Sequence, residues 1–314
     1  MNLDGYTTNP GDLSWENFRQ YGEYIVYDRT KPEEVVERAK DADILFINKC
    51  VITAEMLRQM PKLKYVGLQS TGYNVIDGKA ARELGITISN IPAYSTTAVA
   101  QLVFAFILEI TNKVSLHSDA VHSGEWTACP DFCFWKAPLA ELDGKTIGII
   151  GFGSIGQRVS NIAKAFGMKV LAFTPHPKPE QFPDVSFVDF DTLLRDSDVI
   201  TCHCPLTPAT TGLINAEALS KVKPSVIIIN TSRGPVVDDK ALADALNEGR
   251  IQALGVDVMT TEPPQADNPL LTAKNCFITP HIAWAGYETR TRLVRILEEN
   301  LKAFLDGHPQ NVVN

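Results

Sequence analysis

The sequence is short of positive charge: 29 Lys and Arg stand against 37 Asp and Glu, a formal net charge of −8. That balance disfavours nucleic acid or an anionic membrane surface as partner, and any anionic ligand must be met by local positive groups. A long apolar run is also missing. The longest, 98–108, is interrupted by Gln101 and falls short of the roughly 20 residues that span a bilayer. The start, Met1-Asn2-Leu3-Asp4-Gly5, lacks both the basic residues and the apolar core of a secretion signal. The expectation is a soluble cytoplasmic protein with no membrane partner. Without a secretory signal, the six cysteines (Cys50, Cys129, Cys133, Cys202, Cys204 and Cys276) read as reduced thiols. Cys202-His203-Cys204 can be drawn into a zinc set with Cys129 and Cys133, but that alternation at the end of an apolar run reads as a strand leaving the core. No metal is expected. There is no low-complexity tract and no repeat with a sequence period.

What is present is enough apolar residue, 45% of 314, for two domains, which is the default at this length. Strand and helix signals alternate through the first 97 residues. Strand patterns fall at 23–27, 43–48, 64–68 and 86–89, separated by helix patterns at 32–40, 53–60 (capped by Thr53) and 75–84 (closed by Gly85). Such alternation implies a parallel sheet covered by helices. A mostly apolar helix is predicted over 97–117, then an irregular segment, 118–142, holding Trp126 and Trp135, for which subunit contact is the natural use. A second α/β unit follows, with strands at 145–150, 169–173, 199–202, 226–229, 252–256 and 276–278 and a helix capped by Asp238. A final amphipathic helix, 287–306, closes at Gly307. The fold class is α/β with two doubly wound parallel-sheet domains.

The strand at 145–150 runs into Gly151-Phe152-Gly153-Ser154-Ile155-Gly156, and Ile155, Val159, Ile162, Ala163 and Phe166 then repeat at helical spacing. In that context the three glycines form a dinucleotide fingerprint. Gly151 permits the turn, Gly153 admits the pyrophosphate, and Gly156 allows close packing, with the phosphates at the helix N-terminus beside Ser154 and Ile155. Ligands of such sheets bind beyond the strand exits. Arg233 follows the 226–229 strand, Asp257 and Glu262 the 252–256 strand, and His281 the 276–278 strand. An arginine fork for a carboxylate, a histidine for a proton, and an acid to hold the ring suit a carbonyl acid substrate. His203, His117, His122, His176 and His308 stay unassigned.

These segments resemble one family. The Gly-Phe-Gly-Ser-Ile-Gly turn, His203-Cys-Pro-Leu-Thr-Pro, Asn230-Thr-Ser-Arg-Gly, Gly255-Val-Asp-Val followed by Glu262-Pro, and Pro280-His-Ile-Ala are similar to those of the D-isomer-specific 2-hydroxyacid dehydrogenases. Asn48-Lys49, Thr71-Gly-Tyr-Asn74 and His281-Ile-Ala-Trp-Ala resemble most the glycerate dehydrogenase, or hydroxypyruvate reductase, branch. The resemblance implies a Rossmann cofactor domain over 98–284, a discontinuous flavodoxin-like substrate domain from 1–97 and 285–314, and a homodimer built with the 118–142 loop. It implies Arg233 as substrate clamp, His281 as acid/base and Glu262 as its partner. Lys49, Thr71 and Gly72 would hold the carboxylate from the first domain, and Trp135 would line a partner's site. Cofactor contacts would come from Gly151, Gly153, Ser154, Ile155, Gly156, Thr174, Cys204, Pro205, Thr231, Asp257, His281 and Ala283.

Thr174 departs from NAD-specific relatives, in which an acid closes the second strand and binds the ribose. Pro175-His176-Pro177-Lys178 follows, so NAD and NADP both stay open as cofactor. Glyoxylate or pyruvate is the rival substrate to hydroxypyruvate, and a cofactor-sensing corepressor on the same scaffold is the rival outside enzymes.

Overall fold

The computed structural model describes residues 1–314 and divides into two compact units, Met1–Ser95 with Trp284–Asn314, and Thr96–Ala283. The first is built on strands β1 (Ile44–Ile47), β2 (Tyr65–Leu68) and β3 (Thr87–Ser89), all parallel. Its sheet is wider than those three. Asn2 bridges Phe46 on one side and Val26 on the other, both in parallel, and Val312 pairs antiparallel with Ser89 at the far edge. In chain order the parallel strands run 2-1-3-4-5, the flavodoxin-like doubly wound order. The strand through Asn2 is absent from the sequence reading, because two apolar residues are too few to show a period. One face of the sheet (Leu45, Ile47, Val66, Leu68, Ile88) packs with Val35, Leu57 and Ala81 from the short helices. The other (Phe46, Tyr65) packs with Leu293, Leu297 and Leu301 of the last helix, Tyr287–Leu305. Alternate strand residues thus bury on opposite faces, as the pleat requires.

The second unit carries β4 (Thr146–Ile150), β5 (Lys169–Phe173), β6 (Ser186–Phe187), β7 (Val199–Cys202), β8 (Ile227–Asn230), β9 (Ala253–Val256) and β10 (Cys276–Ile278). They form one parallel sheet in the order β10-β9-β8-β7-β4-β5-β6. Counted within the unit this is 7-6-5-4-1-2-3, the Rossmann order with one added strand, and its switch point lies between β4 and β7. Ile147, Ile149, Ile227 and Ile229 face the helices Thr96–Asn112 and Ser154–Ala165, while Ile150, Ile200, Ile228 and Leu254 face the other layer.

The long helix expected over 97–117 is interrupted. It ends at Asn112, Lys113 takes a left-handed conformation (φ 50°), and Val114–His122 continues after a 55° bend. Thr111 prepares the break: its hydroxyl bonds back to Ile107 O (2.8 Å), and its carbonyl accepts Ala140 N–H (3.1 Å), interactions that compete with a continuing helix. The segment expected to be irregular therefore opens with helix, and only 123–142 is without regular elements. No single helix is long and apolar enough to cross a membrane.

Candidate active site

At the switch point, β4 is followed by Gly151, whose φ of 91° and close approach to Cys204 N (2.6 Å from where a Cβ would stand) both require glycine. A Cβ on Gly156 would meet Gly151 O at 2.3 Å, whereas one on Gly153 would meet nothing within 4 Å. Two glycines therefore fold the turn and the third leaves open space over it. The helix Ser154–Ala165 starts here, and its first intrahelical bond is Gln157 N–H to Gly153 O (2.9 Å). The amides of Ser154, Ile155 and Gly156 precede that bond and face the turn as donors. Cys204 and Pro205 lie across the switch point at the exit of β7. Thr231, at the neighbouring exit of β8, keeps a buried hydroxyl without a protein partner. An open glycine cradle, free helix amides and an orphaned hydroxyl fit a dinucleotide. Thr174 directly follows β5, and no carboxylate stands at that position.

The exits of β8, β9 and β10 build a second constellation. Asn230, fully buried at the end of β8, accepts Ser232 N–H and donates to Arg233 O (2.9 Å), folding the loop so that Arg233 stands exposed at its tip. Gly234 follows it, and a Cβ there would stand 2.0 Å from Met259 C and O. Only glycine lets the Arg233 loop lie against the segment leaving β9. That segment ends in Glu262, whose Oε1 accepts Met259 N–H (3.1 Å) and whose Oε2 meets His281 Nδ1 at 2.6 Å. The ring's Nδ1 is thereby committed to the carboxylate and Nε2 is left for chemistry.

His281 itself has a φ of 55° and sits in a loop held by Asp257. The Asp257 carboxylate accepts Thr279 Oγ1 (2.6 Å), Ile282 N–H (2.8 Å) and Ala283 N–H (2.9 Å). Burial pushes its pKa up despite these donors. His203, at the exit of β7, is bonded to Thr201 Oγ1 (2.9 Å), and burial pushes its ring down to about 3, so it stays neutral. Asn230, Gly234 and Thr279 escape the sequence reading. The one local signal was a glycine immediately after the arginine.

In the first unit, Lys49 lies just beyond β1 in a loop whose amides converge on Asp4. Asn48 N–H meets Asp4 Oδ1 (2.8 Å), and the N–H groups of Lys49 and Cys50 meet Oδ2 (2.6 and 2.8 Å). Thr71 and Gly72 lie beyond β2. Trp135 belongs to the second unit's 123–142 segment and is 68% exposed, with Phe132 beside it at 89%; Lys136 N–H donates to His117 Nε2 (3.1 Å). The structure thus joins Glu262 directly to His281, sets the Arg233 loop against the same segment, and leaves Lys49, Thr71 and Gly72 on the other unit.

A family model for the D-isomer specific 2-hydroxyacid dehydrogenase NAD binding domain matches residues 104–283. The chain belongs to that family. It is 51% identical over 316 residues to a hydroxypyruvate reductase of Blautia hydrogenotrophica, covering 99% of this chain and 98% of the relative. It is 41% identical over 305 residues to a glycerate dehydrogenase of Methylorubrum extorquens, covering 96% and 95%. Among solved structures, an acyclic imino acid reductase in complex with NADPH and D-Arg matches with a TM-score of 0.86 at 32% identity over 100% of both chains. A D-lactate dehydrogenase from Aquifex aeolicus complexed with NAD and lactic acid matches with 0.80 at 31%, covering 96% and 92%. The protein is a D-2-hydroxyacid dehydrogenase, an oxidoreductase acting on CH–OH donors with a nicotinamide dinucleotide as cofactor.

Proposed function

We propose that this dehydrogenase interconverts hydroxypyruvate and D-glycerate. The observation that carries the roles is the 2.6 Å pair between Glu262 Oε2 and His281 Nδ1, next to a loop that Gly234 seats against the same segment. In the reducing direction, Arg233 clamps the substrate carboxylate and carbonyl oxygen through its planar fork. His281 Nε2 delivers a proton to that oxygen, while Glu262 fixes the ring and balances its charge. When bound, the reduced nicotinamide supplies the hydride to the 2-keto carbon. Asp257 keeps the His281 loop in place. It also faces the carboxamide in this reading, with Thr174, Cys204, Pro205, Thr231 and Ala283 as further cofactor contacts.

From the first unit, Lys49 and the amides of Thr71 and Gly72 receive the carboxylate. Those two N–H groups meet no protein acceptor, which suits an anion. The 1–95 and 284–314 unit then serves as substrate domain and the 96–283 unit as cofactor domain. Trp126, Phe132, Trp135 and Leu139 are exposed together on one segment, which supports a homodimer in which Trp135 reaches the partner's site.

The test is a panel of hydroxypyruvate, glyoxylate and pyruvate with both cofactors, run on the parent and on His281→Ala. The expected result is highest kcat/KM for hydroxypyruvate, with turnover nearly abolished in His281→Ala while NADH or NADPH binding is kept. Parental turnover in that variant removes His281 from the mechanism. A clear preference for glyoxylate removes the substrate.

A further inference from the structure

Three asparagines form a line from the C-terminal tail to the back of the Thr71–Gly72 loop. Asn311 Nδ2 donates to Asn300 Oδ1 (2.8 Å), Asn300 Nδ2 to Asn90 O (2.9 Å), and Asn90 Nδ2 to Thr71 O (2.7 Å). The backbone closes the line, because Asn90 N–H donates to Asn311 O (3.0 Å). Asn300 is fully buried and Asn90 is 8% exposed. Asn300 shares the inner face of the last helix with Leu293, Leu297 and Leu301, all buried, a position where leucine would be the default. A buried amide there costs free energy unless its bonds are made, and even then gains little stability over an apolar side chain. Asn311 takes a φ of 53°, a conformation that asparagine tolerates better than most residues.

The consequence lies at the other end of the line. A trans peptide is planar, so fixing one carbonyl fixes the N–H of the next residue in the opposite direction. Asn90 Nδ2 on Thr71 O therefore sets the direction of Gly72 N–H. Ile91 N–H on Ser70 O (3.0 Å) does the same for Thr71 N–H. Ser70 Oγ takes the Gly72 carbonyl (2.7 Å), and Thr71 Oγ1 is spent on Ile91 O (2.7 Å). The carbonyls of Ser70, Thr71 and Gly72 are all bonded, and the amides of Thr71 and Gly72 are left as donors with no protein acceptor.

We propose that Asn90 is a positioning residue for substrate: it aims Gly72 N–H at the carboxylate of the 2-keto acid, and Asn300 and Asn311 brace it from behind. This rests on the assignment of the Thr71–Gly72 loop to the carboxylate made above.

The experiment measures KM and kcat for hydroxypyruvate, KM for cofactor, and Tm in Asn90→Ala, Asn300→Leu, Asn311→Gly and Gly72→Pro. Gly72→Pro deletes the N–H itself. Asn90→Ala is expected to raise the hydroxypyruvate KM about fivefold to tenfold, with cofactor KM unchanged. Asn300→Leu is expected to raise it about twofold to threefold with no loss of Tm, which a purely structural role would not produce. Asn311→Gly keeps the left-handed backbone and should follow Asn300→Leu, so the pair carries the test if Asn90→Ala does not fold. A raised KM in Gly72→Pro beside an unchanged KM in the asparagine variants overturns this proposal alone. An unchanged KM in Gly72→Pro as well overturns both this proposal and the loop's assignment to the carboxylate.

Discussion

Gly234→Ala should separate the catalytic constellation without removing any of its members. The added methyl would stand 2.0 Å from Met259 C and O and 2.3 Å from Thr260 N. These are main-chain atoms, and Met259 N–H is itself bonded to Glu262, so no flexible side chain can swing aside. Carbon atoms need roughly 3.5 Å, so the two segments must part by more than about 1 Å. Such overpacking costs about 1–3 kcal/mol of stability. The kinetic penalty should be larger, because a misplacement of about 1 Å between groups that act together costs on the order of a hundredfold in turnover. The assay is steady-state reduction of hydroxypyruvate together with fluorescence titration of NADH. The expected result is kcat/KM down about a hundredfold with NADH affinity within about threefold of the parent, since the glycine cradle belongs to the exit of β4. Parental kcat/KM in a folded Gly234→Ala would refute the coupling of Arg233 to the Glu262–His281 pair through this contact.

Other perturbations test other parts of the molecule. Arg290, hydrogen-bonded to both oxygens of Asp12 (2.7 and 2.6 Å), holds that carboxyl below its ordinary 3.8. A carboxyl depressed in the fold stabilises fully above its unfolded value and loses this as pH falls through the folded one. The Tm gap between parent and Asp12→Asn should therefore hold through neutral pH and shrink only below 3.8; a calorimetric gap that persists at the acid end refutes the pairing. Thr174→Asp restores an acid at the end of β5 and should raise the ratio of NADH to NADPH kcat/KM about tenfold, and an unchanged ratio would place ribose recognition elsewhere. Asp4→Ala strips the acceptor from three amides of the Asn48–Cys50 loop and should lower stability by about 2 kcal/mol. Acetate at about 0.2 M should restore part of this loss in the variant alone, and equal shifts in parent and variant would sink the idea of an anion cradle there.

Features readable in the sequence are those with a local period or a cap. Thr53 and Asp238 do cap their helices, accepting Met56 N–H and Ala241 N–H, and Gly85 and Gly307 take positive φ just past helix ends. Strands β4, β7, β8 and β9 of the second unit are legible because they are almost wholly buried and run as mostly apolar stretches. The meeting of Glu262 with His281 is legible too, since both follow strand exits of one parallel sheet. Asn230, Gly234, Asp4 and Asn90 are not. Asp4 and Asn90 act on backbone remote in sequence and Gly234 through an absent side chain, while Asn230 bonds backbone only two and three residues on, in a role that no period or cap announces. The strand through Asn2 and the two-residue β6 fail for a simpler reason, because they are too short to display alternation.

The two units pose the same problem and answer it differently. Each is a doubly wound sheet, and each has a switch point where outward-facing amides gather beyond the strand ends. In the first unit that point lies between the strand through Asn2 and β1. There Asp4 fills it with the chain's own carboxylate, bonded to three consecutive amides. In the second unit the point lies between β4 and β7, and the residue that could have filled it is Gly153, which puts nothing there. An internal anion in one cradle and an empty place in the other make only the second available to a pyrophosphate. The filled cradle instead becomes a rigid platform for Lys49. Similar topologies can therefore carry different duties in one chain, divided by whether the residue at the switch point brings its own negative charge.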